Sequence, residues 1–281
     1  MSAHPAFASG NVAVVTGAAD GIGLAAAKKF ASLGMRVCMA DIDSDKLEQA
    51  AAEVSTRVDS GEAVAIRTDV SQLDDLQRLR DRAFDRYGQV DVLMNNAGIG
   101  RPTDSWTEYE NWQQVLGVNL WGVINGVHAF TPAMIEQGTP GLIINTGSKQ
   151  GITSPPGSPA YNVSKAGIKA ATEALEHSLR NTENCRVSAH LLVPGFTYTG
   201  MMRRFLTEKP DAAWTAEQVV DFLLDSVSRG DFYVLCPDND VTREIDNKRM
   251  EWAMGDLVHN RPPLSRWHPD YEEAFAAFMD D

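Results

Sequence analysis

Thr16-Gly-Ala-Ala-Asp-Gly-Ile-Gly23 follows the apolar run Val12-Ala-Val-Val15 and leads straight into a helical stretch over 24–33. A strand that turns into a helix this way leaves the first helical N–H groups unpaired. They sit at the positive end of the helix dipole, a setting that suits a pyrophosphate. Side chains there would collide with such a ligand or demand a disfavoured φ, which accounts for Gly17, Gly21 and Gly23. The spacing is G-x-x-x-G-x-G rather than the commoner G-x-G-x-x-G. Taken alone, the loop is equally well a glycine-rich turn with no ligand.

Outward from this turn, β-branched runs at 11–15, 35–40, 63–68, 90–94, 142–145, 187–192 and 232–235 alternate with helical patterns such as 43–58, 73–87, 110–137 and 159–181. That alternation implies a parallel sheet covered on both faces. Right-handed crossovers then make an α/β, Rossmann-like doubly wound parallel sheet of about seven strands with helices on both faces. Ligands of such sheets bind outside the carboxyl ends of the strands. The 281 residues read as a single Rossmann-fold domain, 1–281, with its core at about 10–240 and a C-terminal extension at 241–281. The extension carries Arg261-Pro-Pro263, Trp267-His-Pro269 and a short amphipathic run with Phe275, Phe278 and Met279 on one helical face.

A net charge of −13 argues against binding nucleic acid or an anionic membrane surface. No run approaches the roughly 20 apolar residues of a membrane span, and the first ten residues lack the pattern of a signal peptide. A cytoplasmic protein is expected. Cys38, Cys185 and Cys236 are widely separated and read as buried thiols in a reducing cytosol, so neither a metal site nor a disulfide framework is expected.

Asp41 ends the second apolar run, within about 20 residues of the glycine turn, where a carboxylate can accept both hydroxyls of an adenosine ribose and repel a 2′-phosphate. Asp20 adds negative charge on the same side, and no cation follows Asp41 before Lys46. NAD is therefore expected over NADP, although Asp41 could instead cap the helix that follows.

Tyr161-Asn-Val-Ser-Lys165 places a phenol and an ammonium four residues apart, on one side of a helix. A phenol with a reference pKa of about 10 is a poor acid or base near neutrality. A neighbouring cation favours its phenolate, which could then take the proton of an alcohol. Ser148 could hold the substrate oxygen beside Tyr161. Singly, Asn119 could merely satisfy backbone groups in a buried helix, Ser148 could be a loop hydroxyl and Lys165 a solvated lysine. His128 and His268 fall in no motif and read as packing or capping residues.

In order along the chain stand Thr16–Gly23, Asp69-Val70, Asn95-Asn-Ala-Gly98, Asn119, Ser148, Tyr161-x-x-x-Lys165 and Pro194-Gly195. This series resembles the short-chain dehydrogenase/reductase family over residues 10 to 236. The resemblance implies hydride transfer between NAD(H) and a secondary alcohol or ketone, with Asn119, Ser148, Tyr161 and Lys165 as the catalytic group. Lys165 would also bind the nicotinamide ribose, and Asn119 would position a water leading protons outward. Cofactor contacts are implied for Gly17, Asp20, Gly21, Ile22 and Gly23 of the turn and for Asp41 and Ile42 at the ribose. Asp69 and Val70 would meet the adenine, and Asn96, Ala97 and Gly98 would close the cleft. Tyr161, Lys165, Pro194, Gly195, Thr197 and Thr199 would lie on the nicotinamide side. Thr197 and Lys149 depart from the family's usual residues, and Lys149 is expected to point to solvent or to meet a polar substrate group at the cleft mouth.

The stretch 196–206 carries Phe196, Tyr198, Met201, Met202, Phe205 and Leu206, which suit either a lid over a bulky apolar substrate or packing on the domain. The family resemblance implies a homodimer or homotetramer built on helices 110–137 and 159–181. The aromatic tail, with Trp252, Trp267, Tyr271 and Phe275, could dock on a partner subunit or cover the cleft. The rival readings are an NADPH-dependent carbonyl reductase and a non-catalytic dinucleotide sensor.

Overall fold

The computed structural model describes residues 4–56, 63–203 and 205–280. Seven parallel strands form one sheet in the order β3-β2-β1-β4-β5-β6-β7. They are β1 Val12–Thr16, β2 Arg36–Asp41, β3 Ala63–Arg67, β4 Val92–Asn95, β5 Gly141–Thr146, β6 Val187–Val193 and β7 Tyr233–Leu235. Strand order reverses between β1 and β4, and at that switch point the carboxyl ends of the strands part to leave a crevice. The central strands β1, β4 and β5 are buried at every position, as continuous apolar runs between two helical layers require.

One layer contains α1 Gly21–Ser32, α2 Ser44–Ser55 and α9 Ala216–Arg229, whose Phe30, Leu47 and Val219 share a core with Val15 and Met39. The opposite layer contains α3 Leu73–Tyr87, α5 Gly122–Glu136 and α7 Pro159–Arg180, packing Leu76, Phe130 and Leu179 on Val14 and Ile143. Local signals set the helix ends. Asp20 accepts from Gly21 N at the start of α1, and α3 stops at Gly88 in the left-handed region. The last two residues of the helix expected over 43–58 lie outside the described residues.

The stretch expected as one helix over 110–137 is broken in the middle. It comprises α4 Tyr109–Val115, a π-helical segment Leu116–Trp121 and then α5. A π segment adds a residue to a turn and rotates the side chains that follow. Here it carries Asn119, which is fully buried. After β5 comes the short α6 Gln150–Thr153, and after β6 the short α8 Gly200–Arg203.

The tail forms α10 Arg243–Val258 and α11 Glu272–Asp280, with two single 3-10 turns between them. Trp252 is its centre. The rings of Phe275 and Phe278 lie 5.2 and 5.3 Å away, the Arg261 guanidinium covers its face at 4.0 Å, and its indole donates to Ser265 Oγ at 2.8 Å. The expected apolar face of the last helix is thus used within the tail itself, and α10 leans on α6 of the same chain.

Candidate active site

The glycine turn is a tight backbone nest. Gly17 lies at φ 66°, and a Cβ on it would come within 2.8 Å of Ala97 Cα. A Cβ on Gly23 would lie 2.2 Å from the Gly17 carbonyl oxygen. Asn96 and Ala97 donate their backbone N–H groups to Thr16 Oγ1 at 2.9 and 3.2 Å, and Asn96 Nδ2 donates to Thr16 O at 3.1 Å. Thr146 Oγ1 donates to Asn96 Oδ1 at 3.3 Å. The ends of β1, β4 and β5 are thereby stitched together, and no local pattern in the sequence singled out the Thr16 hydroxyl as the hub.

A cleft of about 1030 Å³ runs from this turn across the strand ends. Gly17, Asp20, Gly21, Ile22, Asp41 and Ile42 line one end of it. Asn96, Ala97 and Gly98 form the middle, while Ser148, Tyr161, Lys165, Pro194, Gly195, Thr197 and Thr199 line the other end. Asp41 accepts from Ala19 N and Asp43 N, both at 3.1 Å, which fixes its carboxylate at the mouth. The cradle in the glycine turn, which a Cβ would fill, together with a carboxylate at the end of β2, fits a dinucleotide.

Four expected residues stand off the cleft wall. Gly23 lies behind the turn. Asp69 spends its Oδ1 on Ser71 N and Ser71 Oγ, at 3.0 and 2.7 Å, closing the turn into α3. Val70 is buried, with its carbonyl accepting from Asn125 at 3.0 Å. Asn119 accepts from Ile99 N at 2.8 Å and donates to Ile99 O at 3.0 Å and to Ser164 Oγ at 3.2 Å. Its amide is thus used to anchor the loop after β4 onto the helix layer, the backbone-satisfying role that the sequence left open. Thr197, also flagged as unusual, is buried and donates its hydroxyl to Gly195 O at 3.1 Å.

At the far end, Ser148 and Tyr161 line the cleft together, and Lys165 Nζ lies 5.5 Å from the centre of the tyrosine ring. Lys165 donates to Thr146 O at 2.8 Å. Gln150 N donates to Ser148 Oγ at 3.2 Å and so orients the serine. Burial pushes Tyr161 above the ordinary phenol value, with the Ser148 hydroxyl pulling the other way, and burial lowers Lys165 to about 8. Among the chain's own groups, desolvation has the largest effect on the phenol.

Lys149 also differs from expectation. It lines the cleft, but its ammonium is buried in ion pairs with Asp246 at 2.6 Å and Asp238 at 3.5 Å rather than turned to solvent. Over the cleft, Phe196, Met201, Met202 and Phe205 form part of the wall, and Arg203 pairs with Asp20 of the glycine turn. Partners this distant in the chain leave no local trace in the sequence.

Sheet order, crevice and glycine nest define a Rossmann-like dinucleotide-binding protein. The family model described as short chain dehydrogenase matches residues 11–210. The chain belongs to the short-chain dehydrogenase/reductase family and is an oxidoreductase of that family. A solved short-chain dehydrogenase/reductase from Burkholderia phymatum, in complex with NAD, superposes with a TM-score of 0.81 at 32% identity, covering 91% of this chain and 96% of that one. The 1-deoxy-11-beta-hydroxypentalenate dehydrogenase of Streptomyces exfoliatus is 34% identical over 91% of this chain and 93% of its own length. The 3-oxoacyl-[acyl-carrier-protein] reductase of Synechocystis is 35% identical over 70% of this chain and 78% of its own. Among the described residues, no helix is long and apolar enough to cross a membrane.

Proposed function

We propose that this chain is an NAD-dependent alcohol dehydrogenase that transfers hydride between NAD(H) and a bulky, apolar secondary alcohol or its ketone. The observation that carries the reading is the gathering of Ser148, Tyr161 and Lys165 on one cleft with the glycine nest at its other end. A bound nicotinamide supplies the hydride acceptor and, when oxidised, a positive charge next to the phenol. Tyr161 Oη takes the proton of the alcohol, or returns it in reduction. Ser148 holds the substrate oxygen against Tyr161. Lys165, anchored on Thr146 O, favours the phenolate and holds the nicotinamide ribose. Asn119 keeps the Ile99 backbone in place at the outer end of this relay.

NAD is favoured because Asp41 offers a carboxylate to the ribose hydroxyls, and the nearby Lys46 already pairs with Asp43 at 3.3 Å. The apolar substrate class rests on Met201, Met202, Phe196 and Phe205 in the cleft wall. Relatives named for a hydroxypentalenate that match most of this chain support it. Exposed Trp121 and Val163, on the outer faces of the π segment and α7, support a homodimer or homotetramer. Cys38, Cys185 and Cys236 fit a reducing, cytoplasmic setting.

The test is a panel of secondary alcohols followed by the absorbance of reduced coenzyme, with NAD and NADP compared. Turnover of apolar alcohols with NAD is expected, and Tyr161→Phe should lower kcat by about 10²- to 10⁴-fold while NADH still binds. Turnover confined to short polyols, or tighter binding of NADP, overturns the corresponding part. Unchanged activity in Tyr161→Phe overturns the whole.

A further inference from the structure

Lys149 follows Ser148 directly, yet its side chain runs into the body of the protein and is only 19% exposed. The two carboxylates it meets belong to different segments. Asp238 lies just after β7. Its Oδ1 accepts from Val241 N at 2.8 Å, and its Oδ2 accepts from Phe196 N at 3.1 Å, so it holds the loop that leaves β6. Asp246 lies in the first turn of α10 and is 5% exposed. One ammonium therefore joins the serine loop, the Gly195–Phe196 loop and the C-terminal tail.

The contacts on either side of this joint are close. A Cβ on Gly195 would lie 3.0 Å from Lys149 Nζ and 2.9 Å from Asp238 Oδ2, so the loop rests directly on the ion pair. Ile152 N and Thr153 N both donate to Lys149 O, at 3.0 and 3.1 Å, so the same residue begins α6. A Cβ on Gly151 would lie 2.4 Å from the Lys165 carbonyl carbon, so α6 bears on the helix that carries Tyr161 and Lys165. Moving Lys149 moves Ser148 and loosens the support under its partners.

The chemistry of the joint is informative. Arg249 and Arg266 share its small cavity with Lys149 and Asp246. Burial raises the Asp246 carboxyl from its ordinary value, and Lys149 pulls it back. Apolar side chains would fasten a helix here at less desolvation cost, whereas a buried ion pair selects one arrangement and penalises shifted ones. Both carboxylates also lie beyond residue 210, where the match to the family model ends.

We propose that Lys149 is a positioning residue which, through Asp238 and Asp246, makes the C-terminal tail a working part of the nicotinamide side of the site, holding Ser148 and the Gly195–Phe196 loop in register. The inference rests on the coenzyme reading given above. It separates the two halves of the cleft: the glycine turn and Asp41 hold the ADP-ribose half without help from Lys149, and the nicotinamide half depends on it.

Full-length wild type, Lys149→Met, Lys149→Arg and Asp246→Asn are compared for binding of NADH and of ADP-ribose, which lacks the nicotinamide, by calorimetry. Lys149→Met and Asp246→Asn should weaken NADH roughly tenfold and leave ADP-ribose within about twofold, with Lys149→Arg close to wild type. Should Lys149→Met fail to fold, the near-isosteric Asp246→Asn decides. Equal loss of both ligands in the folded variants, or no loss, overturns the inference and leaves the coenzyme reading standing. A wild-type protein that binds neither ligand overturns both.

Discussion

Lys165 serves two opposed ends. Its position beside Tyr161 suits proton transfer, yet burying an ammonium costs stability, and its fall from 10.5 to about 8 records that cost. Below pH 8 the group is charged in folded and unfolded chains alike, and the folded protein bears the full penalty. Between about 8 and 10.5 the unfolded chain holds a proton that the folded one has released, so stability climbs with pH through that window. Above it the penalty is gone. Lys165→Met should therefore abolish turnover while raising stability at pH 7, by about 3 kcal/mol at most before the lost bond to Thr146 O is counted. The gain should shrink as pH rises from 8 to 10.5. Denaturant unfolding at pH 7 and 10 checks this, and a variant less stable than wild type at pH 7 refutes it. At this scale residue type and spacing put forward Tyr161, Lys165 and Ser148, and the fold gathers them on one cleft. The sequence did not reveal the desolvation of Tyr161, which depends on everything packed around the phenol.

At the scale of elements, the strand–turn–helix unit β1–α1 is the most legible piece of the chain. Its apolar run, glycines and cap lie within one short stretch, and the positive φ of Gly17 and Gly21 is a local demand. Gly23→Ala would press a Cβ 2.2 Å from the Gly17 carbonyl oxygen, and the turn would have to open. Loss of measurable NADH binding is expected, with a destabilisation of about 1–3 kcal/mol on unfolding. NADH binding equal to wild type would show that the nest is not the pyrophosphate cradle. The π segment around Asn119 is the counterexample. Leu116, Val118, Leu120 and Trp121 put apolar side chains on several faces of this segment, so one inserted residue leaves little mark on the periodicity. Only the bonds from Asn119 to Ile99 reveal why the widened turn is kept.

At the scale of the whole molecule, the tail is held to the rest of the chain by the Lys149–Asp246 pair and by Met250 packing on the cluster of Leu191, Val193 and Leu235, and is organised internally around Trp252. Trp252→Ala should cost the tail about 3–5 kcal/mol of local stability. Hydrogen exchange should then rise across residues 243–280 while the strands stay protected. Exchange that rises equally in β1, β4 and β5 would mean that tail and sheet form one cooperative unit.

What could be read in advance is what neighbours along the chain decide. Period-two and helical patterns place seven strands and their helices, the glycine turn announces a tight backbone nest, and a four-residue spacing puts phenol and ammonium side by side. The folded molecule alone settled where the Lys149 ammonium lies, which carboxylates receive it, that Asp69 Oδ1 closes the turn into α3, and that burial lifts the phenol. Each of those outcomes depends on groups far apart in the chain sharing a dry, low-dielectric space, and no run of adjacent residues encodes such an encounter.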